Sequence, residues 1–286
     1  MYLCHAHLKY GVSYESIFEL IEQRYCEIRS YCGLSCDLDS EFELIRSKMC
    51  KRMNVDYLAS RGEYLNAKLM AEYLGAEFAD AKDWLFFGYD GKVDLHKTND
   101  ALRKIISETP KVVIPGFYGA MPDGRIRTFS RGGSDITGAM AAAAIGAGAY
   151  ENWTDVSGFL MADPRIVREP QPIKLITYRE LRELSYMGAS VLHEDAVFPV
   201  RRANIPINIR NTNRPQDPGT FIVPTLPANA HKRKVTGIAG HKGFSSVYVE
   251  KSMMNGEIGF VAHLLQIFAD HGISFEHCPS GIDTVS

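Results

Sequence analysis

The stretch TFSRGGSDITGAMAAAAIGAG, Thr128 to Gly148, decides how the rest of the chain is read. It sets Arg131, two adjacent glycines, Ser134 and Asp135 directly before a helix made almost wholly of alanine and glycine. Such a helix can lie close on a sheet, because no long side chain holds it off. KVVIPGF (111–117), just upstream, reads as a buried strand ending at Pro115-Gly116. Strand, glycine turn and close-packed helix together describe one unit of an α/β fold. The chemistry of the turn has two readings. In one, Gly132 and Gly133 let a ligand approach the backbone, and the positive helix end suits a carboxylate or phosphate. Arg131 then grips an anion with its planar fork, and Asp135 holds an ammonium. Anion grip and ammonium grip a few residues apart suit an amino acid. In the other reading, Ser134 or Asp135 caps a plain core helix beside an exposed ion pair. Spacing alone does not separate the two.

Working outward, residues 13–50 read as helices. SYESIFELIEQRYCEIRSYC starts at Ser13 as N-cap, with Ser16 and Glu19 at capping-box spacing and Ile17, Leu20, Ile21 and Tyr25 at helical intervals. SEFELIRSKMCKRM reads as a second helix capped by Ser40, with Glu43 three residues on. ASRGEYLNAKL (59–69) reads as a loop entering a helix. There Glu63 stands at the positive end, Leu65, Leu69 and Tyr73 share a face, and Gly75 stops the helix. DWLFF, AYENWTD and INIRN read as strands, NDALRKIIS as a helix, and residues 177–206 as two helices. This alternation predicts a largely parallel sheet covered by helices. NRPQDPGTFIVPTLPANAHKRK (213–234) has four prolines and little periodicity, and so reads as a boundary. Beyond it, VTGIAGHKGFSSVYVEK reads as a strand, EIGFVAHLLQIFADHG as a helix striped with Ile258, Val261, Leu264, Leu265 and Phe268, and ISFEHC as a second strand.

Composition narrows the function classes. The 286 residues carry 45% hydrophobic and 23% charged side chains with a formal net charge of -2. No excess of positive charge points to nucleic acid or an anionic membrane, and the short basic run His231-Lys232-Arg233-Lys234 reads as a linker end. No stretch approaches the ~20 apolar residues of a membrane span. The first residues lack a signal peptide's pattern, so the expected location is cytoplasmic. Five of the six cysteines lie in the first 50 residues, with no paired C-x-x-C. They read as buried, reduced thiols on helices, and no metal site is expected.

A second loop, WTDVSGFLMADPR (153–165), follows a strand that ends at Thr154-Asp155. Asp155 could take a ribose hydroxyl or a magnesium ion, or serve only as a turn residue. Asp163-Pro164-Arg165 is a rigid turn of both charge signs. No P-loop, no G-x-G-x-x-G after a strand and no G-x-S-x-G elbow appears, so any phosphate chemistry uses another loop set.

Taken together and in order, SRGE (60–63), GFYG (116–119), RGGSD (131–135), WTDVSG (153–158), ADPR (162–165), MGASVLH (187–193) and NIRNT (208–212) resemble the aspartokinases of the amino acid kinase family. The resemblance covers most of residues 56–222. It implies an α/β fold of the amino acid kinase type, an αβα sandwich around a mainly parallel sheet, over residues 1–224. A linker at 225–234 and a partial ACT-like regulatory module at 235–286 follow. The implied reaction is transfer of the γ-phosphoryl of ATP to the β-carboxylate of L-aspartate, giving 4-phospho-L-aspartate at the start of lysine, threonine and methionine synthesis. Carried over by position, Arg131 binds the α-carboxylate, Glu63 and Asp135 orient the ammonium, and Ser134 and Phe117 line the pocket. Thr154, Asp155, Leu160, Asp163, Arg165 and Ser190 lie along the nucleotide, and Mg2+ bridges its phosphates. Ser274, Glu276 and Ser280 fall where relatives hold an amino acid effector, lysine or threonine, and the module implies a homodimer or higher homo-oligomer.

Two departures qualify the resemblance. The family's opening strand carries a K-F-G-G-S/T motif whose lysine reaches the transferred phosphoryl group, and this chain has none. Residues 1–10 read instead as a helix from further inside the family pattern. The expectation is a piece cut at both ends, with an incomplete ACT region and little or no kinase activity by itself. Second, Ser190 and Glu194 stand where many relatives have lysine and proline. The rival enzymes are relatives that act on glutamate, acetylglutamate, carbamate or UMP. The rival of another class is a non-catalytic amino acid sensor.

Overall fold

The computed structural model of the protein describes residues 1–109, 111–188, 192, 194–228 and 234–286. Ser190 and the basic residues 231–233 lie outside the described residues. The chain divides into two compact units, Met1–Ala239 and Gly240–Ser286.

The first unit opens with α1 (Tyr2–Tyr10), α2 (Glu15–Tyr31), α3 (Asp39–Lys48) and α4 (Val55–Leu74). They enclose an apolar cluster that includes Cys4, Phe18, Phe42, Leu58 and Leu65. Their starts differ from the sequence reading. Tyr14 is the N-cap of α2, Ser13 donates to Glu15, and Ser16 lies inside the helix. Ser40 is inside α3, and its amide donates to Asp37 Oδ1. The larger correction concerns residues 60–63, which lie within α4 rather than before it. Asn54 caps α4 by accepting from the Asp56 amide at 2.8 Å. One interior glycine, Gly62, costs about 1 kcal/mol. Burial of Leu58 and Leu65 on either side returns more, at about 1.5–3 kcal/mol for a fully buried leucine. Gly75 ends α4 in the left-handed conformation, as its spacing predicts. Leu65 and Leu69 are buried, whereas Tyr73 and, on α2, Leu20 are exposed.

β1 (Glu77–Phe78) and β2 (Val112–Val113) pair in parallel across α5 (Leu95–Glu108). DWLFF forms no strand: Ala81–Asp83 is a single 3-10 turn, and Phe86 and Phe87 make isolated bridges. An antiparallel hairpin, β3 (Tyr118–Ala120) with β4 (Ile126–Thr128), leads into α6 (Gly133–Ile145). There follow β5 (Tyr150–Thr154), β6 (Leu175–Thr177), α7 (Tyr178–Tyr186), α8 (Glu194–Arg202), β7 (Ile207–Asn211) and β8 (Thr220–Val223). The larger sheet has the order β5-β7-β8-β6, parallel at β5/β7 and β6/β8 and antiparallel at β7/β8. The fold is α/β with mostly parallel pairing. β7 is buried at four of its five residues, as a strand covered on both faces must be. β8 lies inside the proline-rich stretch taken for a boundary. Pro218 and Pro224 flank it, and Thr220 and Ile222 alternate inward.

The small residues of α6 now have a reason. Ala139 and Ala142 are buried with Ile207, Ile209 and Ile222 of the sheet, while Ala144 is buried with Trp84, Leu102 and Tyr118. The helix is wedged between two cores, and larger side chains would push them apart.

In the second unit, β9 (Val249–Glu250) and β10 (Thr284–Val285) pair antiparallel, with α9 (Phe260–Asp270) between them in sequence. ISFEHC is not a strand; the strand that follows α9 is β10, further along the chain, and it pairs antiparallel with β9. A strand needs a second backbone to pair with, and here residues 284–285 take β9. The cysteines are all free thiols. Cys4 is buried on α1, but Cys32, Cys36, Cys50 and Cys278 lie outside helices and Cys50 is exposed, unlike the buried helical thiols expected. Among the described residues no helix is long and apolar enough to cross a membrane.

Candidate functional site

The start of α6 lacks a side-chain cap. Gly132 is the N-cap, in the left-handed region at φ 60° and ψ 20°, and neither Ser134 nor Asp135 fills the role the sequence offered them. The first intrahelical bond runs from the Ile136 amide to the Gly132 carbonyl at 3.0 Å. The amides of Gly133, Ser134 and Asp135 therefore make no hydrogen bond among the described residues. Three donors are left open at the positive end of the helix dipole. Arg131, exposed beside them, has no ion pair among the described residues, so the Arg131–Asp135 pair of the plain reading does not form.

The loop after β2 is pressed onto this turn. A Cβ on Gly133 would stand 2.6 Å from Phe117 Cβ and 2.9 Å from Phe117 Cα, and one on Gly116 would stand 3.0 Å from Ser134 Cα. Phe117 itself is left-handed at φ 61°, a strained state for a non-glycine residue that persists only when its neighbours enforce it. Its amide donates to Thr137 Oγ1 at 3.0 Å and its carbonyl accepts from the Phe129 amide at 2.9 Å. Thr137 in turn donates to the Gly133 carbonyl at 2.7 Å. Phe117, Ser134, Arg131 and Asp135 are thus gathered at one helix end.

Asp135 is held from β5. Asn152 Nδ2 donates to its Oδ1 at 2.9 Å. The same amide donates to the Tyr150 hydroxyl at 3.1 Å, and that hydroxyl donates to the Asp135 carbonyl at 3.3 Å. Asn152 and Tyr150 were not singled out in the sequence. Their alternation on AYENWTD, two residues apart on one strand face, was the available signal.

Glu63 is exposed on α4 and makes no hydrogen bond or ion pair among the described residues. The protein around its carboxyl displaces enough water to raise its pKa. Burial, helped by the Glu63 charge, lifts the nearby Tyr25 phenol to about 12. No hydrogen bond joins Glu63 to the α6 turn. α4 does carry the hairpin that leads there: Asn54 Nδ2 donates to the Ile126 carbonyl at 3.0 Å and Thr128 Oγ1 to Asp56 Oδ1 at 2.8 Å. Arg61 is buried, with its guanidinium against the rings of Tyr57, Tyr64 and Tyr118. Tyr57 and Tyr64 flank it at i−4 and i+3, a helical spacing legible in sequence once the stretch is known to be helix.

At the carboxyl ends of the parallel pair β5/β7, Thr154 lies beside Asn211. Thr154 Oγ1 donates to Asp155 Oδ1 at 3.2 Å, and Asp155 is exposed. The following loop is pinned to residues 211–220: Ser157 Oγ donates to Asp217 Oδ2 at 2.6 Å and Asn211 Nδ2 to Ser157 Oγ at 3.0 Å. Gly158, at φ 93°, admits Thr220 to a place where a Cβ would be 2.3 Å from its Oγ1. Leu160 is 39% exposed and bridges Pro172. Arg165 donates to both oxygens of Asp163, Nη2 to Oδ2 at 2.7 Å, and this holds the Asp163 carboxyl below its ordinary range. The two charges are turned on each other, and no hydrogen bond ties their turn to Thr154 or Asp155. Among the described residues no three His, Cys, Asp or Glu gather as a metal cluster. In the second unit Ser274, Glu276 and Ser280 are all exposed.

The chain belongs to the amino acid kinase family, whose profile matches residues 19–211. Within that family it is similar to aspartokinases. Aspartokinase 3 of Bacillus subtilis is 38% identical over 282 residues, covering 94% of this chain and 62% of that protein. The crystal structure of the aspartate kinase of Clostridium acetobutylicum, an allosteric enzyme, matches with a TM-score of 0.85 at 49% identity, over 99% of this chain and 65% of that one. Aspartokinase III of E. coli, solved with aspartate and ADP, matches at 0.63 and 25% identity, over 87% of this chain and 59% of that one. The chain spans less than two thirds of the length of these relatives.

Proposed function

We infer that the chain carries the amino acid and nucleotide sites of an aspartate kinase, which passes the γ-phosphoryl of ATP to the β-carboxylate of L-aspartate. The observation that carries this reading is the α6 turn, where among the described residues three amides are open, Arg131 has no ion pair and the Asp135 carboxylate has one free oxygen. Arg131 and the amides take the α-carboxylate, Asp135 and Glu63 take the ammonium, and Phe117 and Ser134 line the space. The Glu63 carboxyl, with no partner among the described residues and water partly displaced around it, supports a role toward a cation. Thr154 and Asp155, at strand ends, face the nucleotide, with exposed Leu160 as an apolar surface for the base and the Asp163–Arg165 turn beside it. Mg2+ would neutralise the phosphates. With no protein cluster to cage it among the described residues, its ligands would be phosphate oxygens, water and at most a lone carboxylate such as Asp155. Chemistry in such a site is positioning and charge neutralisation, with no protein nucleophile. Ser274, Glu276 and Ser280 would take lysine or threonine only where a second copy covers these exposed residues, which supports a homo-oligomer.

Titration calorimetry of the chain tests the reading. L-aspartate should bind, glutamate should bind at least about tenfold more weakly, and ATP-Mg should bind independently. Binding of lysine or threonine without nucleotide would overturn it in favour of a sensor. Preference for glutamate would move it to another branch of the family.

A further inference from the structure

The geometry points to Asn152 as a positioning residue that aims the Asp135 carboxylate at the ligand's ammonium. This rests on the reading of Asp135 given above. Asn152 is 8% exposed, so its amide is withdrawn from water and must be satisfied by protein. Both of its N–H groups are used: one on Asp135 Oδ1 at 2.9 Å and one on the Tyr150 hydroxyl at 3.1 Å. The phenol's own proton goes to the Asp135 carbonyl at 3.3 Å. The direction of each bond is therefore determined, and the ring of contacts closes on a single residue.

Space for the phenol comes from Gly138 on α6. A Cβ there would lie 2.8 Å from the Tyr150 hydroxyl and 3.0 Å from its ring. Tyr150 thus sits against α6 one turn beyond Asp135 and holds Asn152 at the right height. The result for Asp135 is specific. An acidic residue in the first turn of an uncapped helix ordinarily turns toward the free amides. Here the carboxylate is drawn to β5 instead, which leaves those amides open. Oδ1 is occupied, and Oδ2 has no hydrogen bond among the described residues. One carboxylate oxygen is thereby presented in one orientation, and a hydrogen bond to a charged acceptor is among the stronger ones available to hold it.

The test is calorimetry with L-aspartate and with succinate, which has the same two carboxylates and no ammonium. The wild-type chain should prefer aspartate. Asn152→Leu, which keeps the branched shape and loses the amide, should weaken aspartate about tenfold and leave succinate within about twofold. A purely structural role for Asn152 would weaken both alike. Asp135→Asn should abolish the preference. If Asn152→Leu keeps the wild-type ratio while Asp135→Asn loses it, the positioning role is overturned and the reading of Asp135 survives. If Asp135→Asn also keeps the ratio, the reading of Asp135 fails and this inference with it. Tyr150→Phe keeps the ring in the Gly138 gap and removes the hydroxyl. It decides the matter if Asn152→Leu does not fold: a fall in the ratio of about threefold supports the role, and an unchanged ratio overturns it.

Discussion

Replacing Gly133 by alanine tests the joint between α6 and the Phe117 loop. The new methyl would stand 2.6 Å from Phe117 Cβ, 2.9 Å from Phe117 Cα and 2.9 Å from Phe129 Cβ. Carbon atoms prefer separations of about 3.5–4 Å, so the overlap is close to 1 Å. None of these atoms can escape by rotating a side chain, because a Cα is backbone and a Cβ is fixed by it. The loop must therefore move. Overpacking of this kind costs about 1–3 kcal/mol. Movement of Phe117 also strains its two backbone hydrogen bonds, to Thr137 and from Phe129, each worth about 0.5–1.5 kcal/mol net. A total on the order of 3 kcal/mol corresponds to a fall in Tm of about 6–12 °C for a protein of this size. Thermal unfolding followed by circular dichroism measures it, with Gly148→Ala as control. No atom lies within 4 Å of a Cβ at Gly148, so that variant should stay within about 0.5 kcal/mol of wild type. Aspartate affinity should fall along with stability in Gly133→Ala, since the open amides shift too. A Gly133→Ala protein that melts with wild type would refute the packing described for the helix start.

Other expectations concern charge. Arg131→Lys keeps the cation and loses the fork. Aspartate should bind about tenfold more weakly while Tm stays unchanged, because the side chain is exposed and has no ion pair among the described residues. The Glu72 carboxylate accepts from the Ser35 hydroxyl, the Ser35 amide and the Cys36 amide, which hold its pKa at about 2 against an ordinary 4.5. A depressed folded-state value gives stability that is present above the unfolded pKa and lost as pH falls from 4.5 through about 2. Denaturant midpoints over that window should fall less steeply in Glu72→Gln. At the other extreme, burial lifts Tyr25 and Tyr178 to about 12, and their hydroxyls donate to the carbonyls of Gly62 and Ile205. Here the neutral form is favoured in the fold, so stability is full below the ordinary value of 10 and is lost as pH rises through about 12. Phenolate absorbance and unfolding should rise together across that range, and Tyr178→Phe should lessen the alkaline loss.

The sequence by itself determined the class of fold, most of its helices and the stretches that form the candidate site. Helical spacing, the stop at Gly75 and the alternation of apolar runs are local properties, written into neighbouring residues by backbone geometry. The order of the RGGSD, WTDVSG and ADPR loops pointed to the family for the same reason. The tertiary structure alone decided which polar groups are satisfied. Spacing offered Ser134 and Asp135 as caps, yet Asp135 is taken by Asn152, 17 residues away, and the helix start is left open. SRGE looked like a loop because of its serine and glycine. It is mid-helix because Asn54 caps earlier and leucines on both sides of it are buried. Prolines hid β8, and the segment ISFEHC, strand-like in composition, found no partner strand. A cap, a strand or an ion pair exists only when a second group reaches it, and that group can lie anywhere in the chain. The open amides and the single free oxygen of Asp135 are outcomes of such distant pairings.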